Sequence, residues 1–364
     1  MRLFQNYGTP RAYRKRLDIL ARNENTFSAR RDIFIEDRYG ASHFLKPVLV
    51  GDLTAFFTNG DDPVLQRMWA CEHGISDTKS LTNILLTQIE EHRTEVFYNL
   101  DPMLYGSAFV RRLPSCVKKK ICWRAAPSPG ADFSAYDLIV CNFPSIIEAW
   151  RRQGLRAEYF APAHDWRMDD FVDAGNPRPI DVVFVGGYSR HHEYRAQVLE
   201  EVARLIEKYQ VVFHFDRSRL TRLAESPLGL VGPLFKYRRP AQVRKVSAHP
   251  VFGLDLYRLL ARAKIVLNAA IDMSNTDRGN MRCFEALGCG ALMVSDSGKY
   301  PFGFEAGENI LTYESPLEAV HVIKRALDNW PEAQRIAARG HQMMRSLYNK
   351  DQQWTEFARL VGSA

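Results

Sequence analysis

The feature that most constrains this chain is an alternation that runs through it twice: a short apolar run, a stretch of helical spacing, another apolar run. Apolar runs of strand length, joined by helices, build parallel sheets covered on both faces. In the first half, residues 95–100 (EVFYNL), 119–123 (KKICW), 137–142 (DLIVCN) and 157–161 (AEYFA) read as strands. Helical spacing covers 81–92, and a helix over 144–154 opens on Pro144 and stops at Gly154. Before residue 80 the pattern is thinner: strands at 1–6 and 53–59, and a basic helix at 11–22.

The pattern restarts after the polar, proline-bearing stretch 166–179. Strands are expected at 180–187 (IDVVFVGG), 211–215, 264–269, 291–296 and 309–313, with another inside 228–234. Helices fall at 192–209, 254–263, 280–290, 316–330, 331–348 and 351–361. The expected architecture is α/β, two Rossmann-like doubly wound domains: 1–165, a linker at 166–179, and 180–348, with the helix of 349–364 packing back on the first domain. Ligands of such sheets sit at the carboxyl ends of the strands, so the expected site is the cleft between the domains.

Composition narrows the class. With 46% hydrophobic and 12% aromatic residues, the chain is not disordered. No apolar run approaches the ~20 residues of a membrane helix. The opening MRLFQNYGTPRAYRKR holds no signal-peptide core, which leads to the expectation of a cytoplasmic protein. Six cysteines, scattered without a C-x-x-C, read as small buried hydrophobes in a reducing compartment. No D-x-D beside a strand end and no H-x-x-x-H or Cys/His cluster is present, so no metal is expected. The 49 lysines and arginines exceed the 42 acids by seven; with the run RAYRKR at 11–16, this allows contact with an anionic membrane surface or with nucleic acid.

The string that carries chemistry is 275–296, NTDRGNMRCFEALGCGALMVSD. Glu285 stands one turn into a short helix whose amino end is near Asn280. Such an end offers unpaired N–H groups and partial positive charge to a phosphate, and Arg282 adds a charged contact. The Glu285 carboxylate suits a ribose diol, and Asp277, eight positions earlier, suits a sugar hydroxyl. Gly288 and Gly290 end the helix and turn the chain into the next strand. Read as residues alone, the string is equally an amphipathic helix with a surface glutamate and a solvated loop.

The stretch 282–296 resembles the F-E-A-x-x-C-G signature of group-1 glycosyltransferases of the GT-B fold, and most of all their CgeB-like, spore-maturation branch. Residues 254–270, 307–327 and 336–348 are similar to the family's flanking segments, 161–165 (APAHD) to its interdomain turn, and 183–187 to its nucleotide-domain opening. The resemblance implies a nucleotide-sugar donor, transfer to an acceptor hydroxyl with retention, and no metal or other cofactor. It implies that Glu285 holds the ribose, that Asp277, in place of the family's first glutamate, meets the sugar, and that Asp277 and Arg282 act in catalysis. Donor binding would further use Gly186, Gly187, Arg190, Arg195 and Asn280, with Arg282, Arg190 and the helix end assisting departure of the diphosphate. On the acceptor side stand Tyr7, Gly8, Arg124 and His164, for a glycan, lipid-linked or protein acceptor in surface polysaccharide or glycoconjugate synthesis. Two other readings stay open: a glycosyltransferase acting on modified DNA, and a non-catalytic protein that keeps the nucleotide-sugar site.

Overall fold

A computed structural model describes residues 1–172, 177–216, 219–227, 234, 237–271 and 275–364. The chain divides into two compact units. The first comprises Met1–Ala163, Met273–Asp277 and Tyr348–Ala364; the second comprises His164–Asp272 and Arg278–Leu347.

The first unit is built on a six-stranded sheet: β1 (Leu3–Asn6), β2 (Ala55–Thr58), β3 (Val96–Asn99), β4 (Lys119–Trp123), β5 (Leu138–Cys141) and β6 (Ala157–Tyr159). All pairs are parallel, in the order β2-β1-β3-β4-β5-β6. The connection turns back between β1 and β3, so the carboxyl ends of these neighbouring strands flank the crevice where doubly wound sheets take ligands. Phe4, Phe97, Phe109, Ile139 and Trp150 form part of the apolar layer on this sheet.

Between β1 and β2 lie helices that apolar spacing does not announce. Phe27–Glu36 buries Arg30, which is 3% exposed and paired with Asp62 at 3.0 Å and Asp18 at 2.7 Å. A core-facing arginine breaks the apolar stripe, although the helix packs as any other. After β2, the helix Pro63–Glu72 starts with Asp62 accepting from the N–H of Val64. Cys71 stands on this helix outside its buried face and is exposed, and Cys116 is half-buried. The expectation of six buried thiols is thus corrected at these two positions; all six are free.

The helix Lys350–Ser363 clusters with the first unit. Its first residue is a buried lysine whose Nζ donates to the carbonyls of Ala41 (2.7 Å), Ser42 (3.1 Å) and Phe44 (2.8 Å) and to Gln353 Oε1 (3.0 Å). Four oxygens replace the ammonium's hydration, which makes its burial tolerable. Phe357 follows two turns later against Tyr98 and Phe160.

The second unit holds β7 (Ile180–Gly186), β8 (Val211–Phe215), β9 (Ser247–Ala248), β10 (Ala263–Leu267), β11 (Leu292–Asp296) and β12 (Leu311–Tyr313). The order is β12-β11-β10-β7-β8-β9, all parallel, with the switch between β7 and β10. Val182, Phe184, Phe213, Ile265 and Leu292 lie in its core. The strand expected within 228–234 falls on positions of which 228–233 lie outside the described residues. The stretch expected as linker contains a tight helix, Trp166–Phe171, with Met168 buried and Asp165 accepting from the N–H of Arg167. Among the described residues no helix is long and apolar enough to cross a membrane.

Candidate active site

The carboxyl edge of the second sheet is finished by the helix Met281–Gly288, with Asn280 as its cap residue. Asn280 does not cap the helix with its side chain. Its Nδ2 donates instead to Asn268 Oδ1 (3.1 Å), just beyond β10, and its Oδ1 accepts from Cys283 Sγ (3.0 Å). Asn268 Nδ2 donates to Ser295 Oγ at 3.0 Å, and its carbonyl accepts from Tyr313 Oη at 2.7 Å. This network ties the helix start to β10, β11 and β12, while the first-turn N–H groups are left uncapped by the Asn280 side chain. Such groups favour an anion.

Glu285 is 2% exposed. This overturns the surface-glutamate reading: one turn into the helix, its face is the buried one, between Phe284 and Ala286. Its Oε2 accepts from Arg282 Nη1 at 2.6 Å. Burial pushes the Glu285 carboxyl above the ordinary carboxylate value, and the Arg282 charge partly restores it. Arg282 Nε is buried without a hydrogen-bond partner among the described residues. The pair therefore offers an unmatched donor beside a carboxylate, which suits a ligand carrying both phosphate oxygen and hydroxyls.

Gly288 has a different reason from the expected one. A Cβ there would lie 2.4 Å from Met168 Sδ and 2.9 Å from His164 Nδ1, so close packing requires glycine. Gly290 makes the turn, with φ +67°.

Next to this helix, Arg278 pairs with Asp296 at 2.5 Å, and Asp296 Oδ1 accepts from the N–H of Ala270 (2.9 Å). Gly186 ends β7 and Gly187 follows it in the open. Arg190, beyond them, is exposed and donates to the carbonyl of Arg238 at 3.2 Å. Arg195 is not a solvated helix charge: Nε donates to the carbonyl of Ala269 at 2.7 Å, Nη2 reaches the same oxygen, and the guanidinium stands over Phe184. Asn268 falls just beyond β10 and outside the 275–296 string; Arg278 and Asp296 lie within that string, and its pattern singles out neither.

Asp277 clusters with the first unit. It is 4% exposed, and its Oδ2 accepts from the N–H of Ser145 at 2.7 Å, at the start of the helix Pro144–Arg152. A carboxylate there also meets the positive end of the helix.

Of the acceptor-side residues, Tyr7 packs its ring among Phe34, Tyr39 and Phe44. Gly8 lies against Asp101, and Arg124 follows β4 and donates from Nε to Ser128 Oγ at 2.6 Å. His164 clusters with the second unit. Its Nε2 meets Asp169 Oδ1 at 3.1 Å, and His341 Nε2 meets the same oxygen at 2.9 Å. These three are the described residues grouped as metal ligands would be, although their sequence positions give no ligand spacing. They fit a metal poorly. An ion on His164 Nε2 would require the proton on Nδ1, which is buried without a partner. Asp169 Oδ2 also faces Arg345 at 3.4 Å.

Residues 217–359 match a family described as glycosyl transferase-like. No curated protein matches the sequence. Among solved structures, the chain is similar to Anabaena Alr3699/HepE in complex with UDP and glucose, with TM-score 0.61, 12% identity and 100% of each chain covered. It is also similar to a glycosyltransferase from Rickettsia africae ESF-5, with TM-score 0.57, 9% identity, and 99% of this chain and 97% of that one covered. A sucrose-phosphate synthase from Thermosynechococcus elongatus gives TM-score 0.50 at 13% identity, over 78% of this chain and 76% of that one. The chain has a GT-B-like fold, and its residues 217–359 carry a glycosyl transferase-like domain.

Proposed function

We propose that the chain transfers a sugar from a uridine-diphosphate donor to an acceptor hydroxyl, with retention and without a metal. The observation that carries this reading is the pair of half-buried Arg282 and buried Glu285 in the first turns of a helix, uncapped by the Asn280 side chain, on the sheet's carboxyl edge. Glu285 takes a ribose hydroxyl; Arg282, Arg190 and the helix end take the diphosphate and stabilise it as it leaves. Asp277 meets the donor sugar. The acceptor hydroxyl replaces the diphosphate on the anomeric carbon from the same face. Uridine is favoured because HepE, a structure similar over its whole length, was solved with UDP. The resemblance to the CgeB-like branch supports a place in surface polysaccharide or glycoconjugate synthesis. Within 11–16, Arg14 and Arg16 pair with Asp61 and Asp37, so exposed Arg11 and Lys15 are the cations that support work in the cytoplasm with peripheral contact to an anionic membrane.

Calorimetry with UDP, UDP-glucose and the GDP-, dTDP- and ADP-sugars tests the reading. UDP and a UDP-sugar should bind the parent protein, and Glu285→Gln should weaken both by about tenfold to a hundredfold, the worth of a charged hydrogen bond. Equal binding by parent and variant removes the site; absence of any nucleotide binding leaves a non-catalytic protein. The anomeric configuration of the product, read by NMR, decides retention.

A further inference from the structure

Asparagine is among the best helix caps, because its side-chain oxygen accepts from the second or third N–H of the helix. Asn280 stands in that position before Met281–Gly288 and makes no such bond. The N–H of Cys283 meets the backbone carbonyl of Asn280 at 2.9 Å, while the N–H of Arg282 has no hydrogen-bond partner among the described residues. An idle asparagine at a cap position has to be held off the helix by something else.

Two side chains hold it. Asn268 Oδ1 accepts from Asn280 Nδ2 at 3.1 Å, and Asn280 Oδ1 accepts from Cys283 Sγ at 3.0 Å. The first is the stronger hold, since a thiol is a weak donor. Asn268 is itself anchored: its N–H donates to the carbonyl of Val294 (2.9 Å), and its carbonyl accepts from Tyr313 Oη (2.7 Å). Its Nδ2 is spent on Ser295 Oγ at 3.0 Å, which leaves Oδ1 as the atom turned to Asn280. At 3% exposure, Asn268 makes these bonds with little competition from water.

Stability alone favours the capped arrangement. The uncapped one keeps a first-turn N–H available to an anion, beside Arg282 Nε, which is buried without a partner among the described residues. We infer that Asn268 is a positioning residue of the donor site: by holding the Asn280 side chain, with Cys283 as a weaker second hold, it keeps the Arg282 N–H free for a diphosphate oxygen. Assigning that anion to a sugar donor rests on the glycosyl-transfer reading; the hold on Asn280 does not.

The test reads the Arg282 N–H directly, by hydrogen exchange followed by NMR on the full chain labelled at arginine. Exchange there should be about tenfold slower in Asn268→Ala than in the parent, because the released Asn280 caps it. Calorimetry should show UDP and inorganic pyrophosphate each bound about tenfold more weakly by that variant. Cys283→Ala should move both readouts the same way by a smaller factor, and it decides the matter if Asn268→Ala fails to fold by circular dichroism. Asn268→Asp keeps the acceptor for Asn280 Nδ2 and should stay nearer the parent than Asn268→Ala does. Adding Asn280→Ala to Asn268→Ala removes the capping side chain and should restore both fast exchange and affinity, which a merely structural role would not do. Three results each overturn the positioning role: exchange at Arg282 alike in the parent and both single variants, slowed exchange with affinity unchanged, or lost affinity that the double variant does not recover. Slowed exchange in a chain that binds neither UDP nor pyrophosphate overturns the diphosphate reading and leaves the hold on Asn280 standing.

Discussion

The two sheets have the same number of parallel strands but finish their carboxyl edges in opposite ways. In the second unit Asn280, Asn268 and Ser295 form a polar chain and Arg278 holds Asp296, while Arg282 Nε alone is left as a donor without a partner among these. In the first unit Thr9 Oγ1 and Asn59 Oδ1 have no partner among the described residues, and Asp101 is nearly unpaired. A satisfied network fixes geometry before a ligand arrives; unsatisfied acceptors are completed by the ligand itself. Recognition of a diphosphate fits the first condition, because its charge must meet donors already aimed.

The largest effect should come from breaking the satisfied side. Glu285→Ala leaves the partly exposed Arg282 guanidinium without its carboxylate, a loss of about 3 kcal/mol in stability, the low end for a broken buried pair. Replacing both, as Arg282→Met with Glu285→Leu, should recover most of that loss while UDP binding stays absent. Urea titration and calorimetry separate the two outcomes, and UDP binding by the double variant would show that the pair is structural only. The pH dependence sharpens the same point. The Glu285 carboxyl is raised by burial above its ordinary 4.5, so the folded chain holds that proton to higher pH than the unfolded chain does. Its contribution to stability is full below pH 4.5 and declines as pH rises through the raised value. The difference in unfolding free energy between parent and Glu285→Gln should shift in that direction; no pH dependence in the difference would mean the carboxyl is not shifted.

Asp277 has a structural and a catalytic role to separate. If it meets the donor sugar, Asp277→Asn should lower donor turnover about tenfold to a hundredfold and leave UDP affinity unchanged. Its bond to the N–H of Ser145 predicts a second, smaller consequence, a stability loss of about 0.5–2 kcal/mol as a helix cap is weakened. A fall in melting temperature with turnover unchanged would reduce Asp277 to that cap.

The contrast also explains what the sequence could tell. The second sheet was legible because strands such as 180–186 and 263–267 are apolar runs and their helices carry regular stripes. The helix at Glu285 was placed within a residue of its observed start at Met281, and Asn280 was recognised at its end. Its partners were not, because Asn268 and Asp296 lie at strand ends where local pattern has no period to offer. The first unit was harder for a physical reason: Arg30 buries a guanidinium against Asp18 and Asp62, and apolar spacing cannot register an ion-paired core position. Asp101 looked like any loop aspartate. Its neighbourhood with Gly8 follows only from β1 and β3 lying side by side.

The two arginines after β7 give a finer comparison within the donor side. Arg195 is held by the carbonyl of Ala269 and covers Phe184, whereas exposed Arg190 donates to the carbonyl of Arg238 at 3.2 Å and lies beside the Tyr188 hydroxyl. Arg190→Ala should therefore weaken UDP about tenfold with stability unchanged, as loss of a charged hydrogen bond would. Arg195→Ala should do the reverse, lowering stability by about 1.5–3 kcal/mol and changing UDP affinity less than threefold. An inverted result would make Arg195 the diphosphate ligand, with its hold on Ala269 released when the donor binds.

The smallest expected effect is that of chelation. With Arg282, Arg190 and a helix end to meet the diphosphate, transfer should change less than twofold in excess EDTA. The His164–Asp169–His341 group is where a metal dependence would have to arise among the described residues. Its geometry argues against one: both Nε2 atoms already meet Asp169 Oδ1, at 3.1 and 2.9 Å, as hydrogen bonds would. Burial also lowers the His164 pKa, against the pull of Asp169, which keeps the ring neutral with one proton for that bond. His341→Ala should then leave transfer and its response to EDTA as in the parent, at the loss of one surface-side hydrogen bond. Transfer abolished by EDTA and restored by zinc or magnesium in the parent, but not in His341→Ala, would move the charge-neutralising function from the arginines to these three residues.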